Sequence, residues 1–426
     1  PRKNHILLKP ADRPEETLNR RKRERMNGRM GKWFGAMLLL IAACGVHAVE
    51  GKLVATLSRN QEDQWDHILP NRPPHISTVN RVVPGQPFSI CLYLSDFALK
   101  DGTADVTVDL EQVDPHGTRK TLGKDLAAWR GKSDGKGVFL STIKLKAVME
   151  EKDRPGEYRM IARLRDRNDG SEKLLECSWL LTALPKQFPA VDFKQCNEVL
   201  TNYYRSPQPE LLPGVLECCL RERPGLNEKT LSLYYGLGLL FRMNPQLHGE
   251  LLRIAAEQQT EENRRAVAAV IHFLGKETEE KLRPELDAET RRELDGLASL
   301  PQEIPGEIRN AGELDQLWFA FFATGNVEPI RRLVGELNRP GEMLTPDEFR
   351  AKKEKGGTTP GDLPKLMNFL ICAAANWSLS SNAKQHPLVR YYLEAMLARG
   401  EIKHPRSAGL VGKMLRNAST PEKSGK

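Results

Sequence analysis

From Pro84 to Leu181 apolar residues recur at every second position. In P-G-Q-P-F-S-I-C-L-Y-L-S-D-F, Phe88, Ile90, Leu92 and Leu94 fall on one face and Ser89, Cys91, Tyr93 and Ser95 on the other, which is the alternation of a half-buried strand. Val106, Val108 and Leu110 alternate with Thr107, Asp109 and Glu111, and D-P-H-G at 114–117 then supplies a turn with Pro at its second position. Further strands are predicted around Phe139, Ile143 and Leu145, at Tyr158, Met160, Ala162 and Leu164, and at Leu175, Cys177, Trp179 and Leu181. With a first strand at Ile76–Val83, residues 76–185 hold about six or seven short strands at the spacing of an antiparallel sandwich.

Past A-L-P-K-Q-F-P-A the period lengthens from two to about 3.6. Leu314, Leu317, Trp318, Phe321 and Phe322 form one helical stripe, Gly325 stops it, and Val327, Ile330, Val334 and Leu337 begin the next. The same helix–break–helix pattern recurs at Leu231–Met243 with Leu247–Gln258, and at Leu363–Ala383 with Leu388–Arg399, each second helix opened by Pro245 or Pro387. Residues 190–418 therefore read as an all-α domain of helical hairpins. The expected fold class is multidomain α and β: an antiparallel immunoglobulin-like β-sandwich followed by an all-α helical-hairpin array, with a single irregular α-bundle as the alternative for the second part.

Two resemblances are carried by short runs. V-P-G-Q-P-F-S-I and R-P-G-E-Y-R-M-I-A-R-L-R-D resemble the strand-entry patterns of bacterial immunoglobulin-like domains, which implies a spacer or binding module. L-W-F-A-F-F-A-T-G-N-V-E-P-I-R-R-L-V resembles one tetratricopeptide-type unit. The chain shows no sustained repeat of such units, and Gln302–Gly306 and Lys355–Gly361 interrupt them, so the array is expected to be degenerate.

At 426 residues with 39% apolar and 28% charged composition and a mean hydropathy of −0.50, the chain is neither a disordered nor a polytopic membrane protein. Its net charge of +8 sits at the front. Residues 1–32 carry eleven Lys or Arg against four acids, so the remainder is close to neutral and gives no electrostatic reason to invoke nucleic acid or an acidic membrane surface.

From Arg25 the basic residues give way to W-F-G-A-M-L-L-L-I-A-A-C and then to small residues, which reads as a signal peptide over 26–48. Its apolar stretch is short for a bilayer span; a retained signal anchor is the alternative. Val46-His47-Ala48 offers an ordinary cleavage site after Ala48, while Ile41-Ala42-Ala43-Cys44 resembles a bacterial lipobox, which implies lipidation at Cys44. Residues 1–25 are expected to be upstream translation ahead of a start at Met26 or Met30, or else a basic tail. Residues 49–75 read as a polar linker and 419–426 as a disordered tail. The compartment expected is the periplasm, or the outer membrane for a lipoprotein, with membrane contact only through the signal anchor or a lipid at Cys44.

No catalytic motif emerges. Gly131-Lys132-Ser133-Asp134-Gly135 fits G-x-S-x-G, but a polar turn precedes a strand here, whereas a nucleophile elbow follows an apolar strand and opens a helix. No C-x-x-C or H-E-x-x-H is present, and Cys196, Cys218 and His248 match no metal-ligand spacing, so neither metal nor cofactor is expected. Export permits disulfides, and Cys196 could meet Cys218 or Cys219 across two consecutive helices. Parity argues against Cys91 with Cys177, which fall on different faces. Phe319, off the main aromatic stripe, and Trp65 and His67, in the polar stretch before the first strand, are the candidate binding residues. The function expected is binding or scaffolding of a protein or peptide through the helical domain; the alternative is an envelope enzyme with its site between the two domains.

Overall fold

The computed structural model describes residues 48–67, 77–135 and 137–419, together with the backbone of residues 7 and 8. Apart from that pair, the segment before Ala48, including Cys44, and the tail from residue 420 lie outside the described residues. The strands are β1 (Leu7–Leu8), β2 (Glu50–Thr56), β3 (Arg81–Val82), β4 (Pro87–Ser95), β5 (Thr103–Val113), β6 (Arg119–Lys132), β7 (Phe139–Val148), β8 (Gly156–Asp166) and β9 (Glu172–Leu181). They form two sheets, in the order β1-β7-β4-β2 and β3-β9-β8-β5-β6.

Phe88, Ile90, Leu92 and Leu94 of β4 meet Val106, Val108 and Leu110 of β5 and Met160, Ala162 and Leu164 of β8 in one core shared by both sheets. The alternation seen in the sequence is thus the inward face of each sheet. Cys91 and Tyr93, on the opposite face of β4, form a separate cluster with Val54 and Leu140.

Two expectations are corrected, and one strand was not anticipated. Residues 50–56, read as part of the polar linker 49–75, form β2, paired along its whole length antiparallel to β4 from Glu50↔Ser95 to Thr56↔Ser89. Leu53, Val54, Ala55 and Thr56 are all buried, because Leu53 and Ala55 enter the shared core while Val54 is covered on the other face, and a strand buried on both sides shows no alternation. The strand expected at Ile76–Val83 is reduced to the two residues of β3, which pairs with β9 parallel rather than antiparallel; Ile76 lies outside the described residues. Finally, the 14-residue β6 gave no signal. It pairs only with β5 in its sheet, with register shifts and Asp125 at φ +53°, and keeps only Ala128 buried, so an edge strand without a continuous inward face leaves no period-two pattern.

The helices are α1 (Gln61–Asp66), within the supposed linker, and then α2 (Phe193–Asn202), α3 (Leu212–Glu222), α4 (Leu231–Met243), α5 (His248–Ala256), α6 (Glu261–His272), α7 (Lys276–Leu282), α8 (Ala288–Gly296), α9 (Ala311–Thr324), α10 (Val327–Gly335), α11 (Pro346–Glu354), α12 (Asp362–Gln385), α13 (Pro387–Ala398) and α14 (Pro405–Ser419). The chain is therefore of mixed class, with mainly antiparallel sheets followed by an all-helical part.

Two adjoining cores fill the helical part, one beneath α2–α8 and one beneath α9–α14. Helix α4 joins them: it packs on α6 and also on α9, far away in sequence. Glycines open both of its faces. A Cβ on Gly236 would lie 2.6 Å from the Phe319 ring of α9, and one on Gly238 would overlap Phe273 Cβ and reach 3.0 Å from Val270 O of α6. In a strict stack each unit touches only the next; the α4–α9 contact crosses over α5–α8.

Candidate functional site

The segment between β2 and β3 is a strap that ties the sheets to the helices. Arg59 donates from its guanidinium to Met243 O at the end of α4 (2.9 Å). Asn60 opens α1, but its Nδ2 is directed to Gly325 O (3.3 Å), in the tight turn between α9 and α10. Gly325 adopts φ +68°, and a Cβ there would strike Asn60 Nδ2 and come within 3.0 Å of Tyr204 Cβ. Asp63 Oδ2 accepts the Val327 N–H at the start of α10 (2.9 Å), where a carboxylate meets the positive end of the helix.

Trp65 and His67 complete this strap and face opposite ways. Trp65, half-buried, packs at a tilt against Tyr93 with ring centroids 4.7 Å apart and covers the outer face of β4. His67 is buried, donates from Nδ1 to Asp63 O (2.7 Å), lies edge-on to Tyr392 of α13 at 5.5 Å and places Nε2 3.8 Å from Glu401. Trp65 thus packs on the sheet and His67 against α13, with its Nε2 buried without a hydrogen-bond partner.

Phe319 is half-buried against Gly236 and edge-on to Phe322 at 6.3 Å, within the α4–α9 contact.

Beside the strap a groove of about 460 Å³ opens between the two parts, within the usual range for a ligand site. Val79 and Val83 line it from the β3 segment, Phe188 from the connecting segment, and Pro209 and Leu247 from the helices. Arg81 and Glu210 are its charged lining residues. Arg81 Nε is engaged by Thr182 Oγ1 at 2.7 Å. The Gln246 side chain donates to Asn244 Oδ1 (3.3 Å) while its own Oε1 is buried without a partner. Such a lining offers apolar contact and amide hydrogen bonds.

Three of the four cysteines in the helical part converge, Cys372 of α12 lying apart. Cys196 Sγ of α2 lies 3.5 Å from Cys219 Sγ of α3, and Cys218 is buried beside them; all are free thiols. The hydrogen bond with Cys196, reinforced by burial, pushes the Cys219 thiol up, while the Cys219 S–H draws Cys196 down. Cys91 lies in the outer cluster of β4 and Cys177 packs against the shared core. Among the described residues no group of three or more metal-ligating side chains assembles; His248 turns its Nε2 to Phe241 O at 3.1 Å. Gly131 and Lys132 end β6, and residues 133–135 lead out of it, with the Gly135 N–H donating to Ser133 Oγ (3.0 Å).

One feature was not singled out in the sequence. The 24-residue α12 exposes Leu363 (61%), Leu370 (41%) and Trp377 (73%), seven residues apart on one face. From Leu366 to Ala383 the chain carries no charged residue. The signal was present as uniform hydrophobicity, which reads equally as a buried helix, and only the packing reveals which face is left open. No helix among the described residues is long and apolar enough to cross a membrane.

No family model matches the sequence, and no curated protein matches it. Among solved structures, a family 123 glycoside hydrolase from Clostridium perfringens is similar over 39% of this chain and 33% of its own, at 10% identity and a TM-score of 0.21. Alpha-2-macroglobulin from Escherichia coli, spanning domain MG7 to the C-terminus, is similar over 87% of this chain and 62% of its own, at 11% identity and a TM-score of 0.20. A Salmonella alpha-2-macroglobulin mutant is similar over 87% of this chain and 23% of its own, at 12% identity and a TM-score of 0.19. The chain thus spans less than two thirds of each of these structures, and likenesses this slight carry no statement about its fold or activity.

Proposed function

We propose that this chain is an exported envelope protein, an immunoglobulin-like sandwich followed by a degenerate set of helical hairpins, that binds a partner protein through α12. The observation that carries the binding reading is the open stripe of Leu363, Leu370 and Trp377. Positions seven apart, with Leu366 and Ala373 between them, are the seam that a second helix needs, so the partner element is the apolar face of an amphipathic helix. A helix without charge along 18 residues and with a tryptophan in solvent is a liability unless something covers it.

Export rests on the basic and apolar segment before Ala48. The start of β2 favours Cys44 over Ala48 as the processing point. Val49 is fully buried and its N–H is bound to Ser171 Oγ (3.0 Å), so cleavage after Ala48 would put a charged ammonium at the edge of the core, whereas cleavage before Cys44 leaves a four-residue tether.

Both parts are tested in the native host. A photoreactive phenylalanine analogue in place of Trp377 should give a discrete adduct with one envelope protein, and the adduct should vanish when Leu363→Asp and Leu370→Asp are added. Because these leucines face solvent, the double variant should keep its melting temperature within about 2–3 °C. Adducts with lipid alone, or an adduct indifferent to the aspartates, would remove α12 as the binding surface. N-terminal analysis of the same material should find an acylated Cys44; an unprocessed chain in the cytosol would remove the export reading.

A further inference from the structure

The sulfurs of Cys196 and Cys219 touch across the α2–α3 contact at 3.5 Å, inside the core that also holds Val199, Val215 and Leu216. Both residues are at most 4% exposed. Thiols are weak hydrogen-bond partners, and as packing units they offer little that alanine or valine would not. Their contact gains a distinct role if the bond is made: shortening the separation to a bonded length of about 2 Å is within reach of side-chain torsions. Cys218 also interacts with Cys196, more weakly than Cys219, and the sulfur that meets Cys196 at 3.5 Å is that of Cys219, which favours Cys196–Cys219 as the pair.

We propose that Cys196 and Cys219 are joined by a disulfide in the exported protein, pinning α2 to α3 and leaving Cys218 as a thiol. The proposal rests on the export reading, since the oxidant is an oxidised dithiol protein of the compartment outside the cytoplasm. Cys196, as thiolate, attacks the donor's disulfide and releases one donor sulfur. Cys219 loses its proton, attacks Cys196 in the mixed disulfide and releases the second. The chain gives up two protons and two electrons, one S–S bond forms, and the donor leaves as a dithiol. Because both sulfurs are buried in the folded domain, the reaction belongs to folding, before α2 closes over α3, and the finished bond is shielded from reductants.

The experiment is peptide mapping of the full chain purified from its native host, denatured without reductant and alkylated. A cross-linked peptide pair joining Cys196 to Cys219, lighter by about 2 Da than the two thiol peptides and carrying the alkyl mark on Cys218, is expected. Reduced while denatured and refolded in reductant, the protein should then melt roughly 5–10 °C lower, and the same treatment should leave Cys219→Ala unchanged. A chain with a processed N-terminus and three alkylated cysteines would overturn the disulfide and leave export standing. A Cys196–Cys218 link would overturn the pairing. An unprocessed cytosolic chain with free thiols would overturn export and this proposal with it.

Discussion

At the end of α12, His386 sits against Phe322 at 5.0 Å with its Nδ1 3.3 Å from the Tyr204 hydroxyl, and it is buried. Burial, reinforced by the nearby Arg205, lowers its pKa from 6.5 to about 4. The unfolded chain takes a proton near pH 6.5 and the folded one only near 4, so between those values the unfolded state binds more protons and stability falls as the solution is acidified. The slope from this one group is no more than about 1.4 kcal/mol per pH unit, the limit for a difference of one proton. Melting temperatures measured from pH 7 to 4 should fall for the native sequence and fall less steeply for His386→Gln. Parallel curves for the two would mean that the loss comes from other groups. Nothing in Q-H-P marks this histidine as a core residue, because its neighbours, Tyr204 and Phe322, come from distant parts of the chain.

Helix α4 shows how element-scale packing turns on two residues that propensity counts as defects. Glycine in a helix interior costs about 1 kcal/mol relative to alanine, yet S-L-Y-Y-G-L-G-L-L carries two. Gly238 lets α6 approach until Val270 O would stand 3.0 Å from a Cβ. Gly238→Ala should therefore lower stability by about 1–2 kcal/mol despite its better propensity, since overpacking a fixed backbone contact outweighs it. Gly409, exposed within α14 with nothing near its missing Cβ, is the counterpart: Gly409→Ala should stabilise by about 0.5–1 kcal/mol. Denaturant midpoints of the two variants moving in the same direction would refute the packing account. The same helix marks what sequence could disclose. Its existence, its end at Met243 and the hairpins around Gly325 and Pro387 were legible, because one face of each helix is apolar at a helical period. The strands β4, β5, β8 and β9 were legible for the corresponding reason. What pattern could not disclose was partnership: β2 lost its alternation by being covered on both faces, β6 by having scarcely any inward face, and α12 concealed an open stripe within uniform hydrophobicity.

At the scale of the whole molecule, the two parts are joined by a cap that one lends to the other. Asn326 occupies the N-cap of α10 in an extended conformation, yet its side chain makes no capping bond and its Oδ1 is buried without a partner. Asp63, from the strap beyond the sheets, supplies the acceptor for Val327 N–H instead. Asp63→Ala removes a charged cap and leaves that N–H without this acceptor, which should cost about 1–2 kcal/mol; Asp63→Asn keeps an acceptor and should lose less. Gly325→Ala loosens the same joint from the helical side, by forcing a side chain into φ +68° against Asn60. If the strap docks as one unit, either change releases it, and the double variant should cost less than the two single costs combined. Amide hydrogen exchange should rise at 58–67 and in the α9–α10 turn in each variant and remain slow in β4, β5 and α6. Strictly additive costs, with exchange at the strap unchanged, would show that Asp63 merely caps a helix and that the two parts are held together elsewhere.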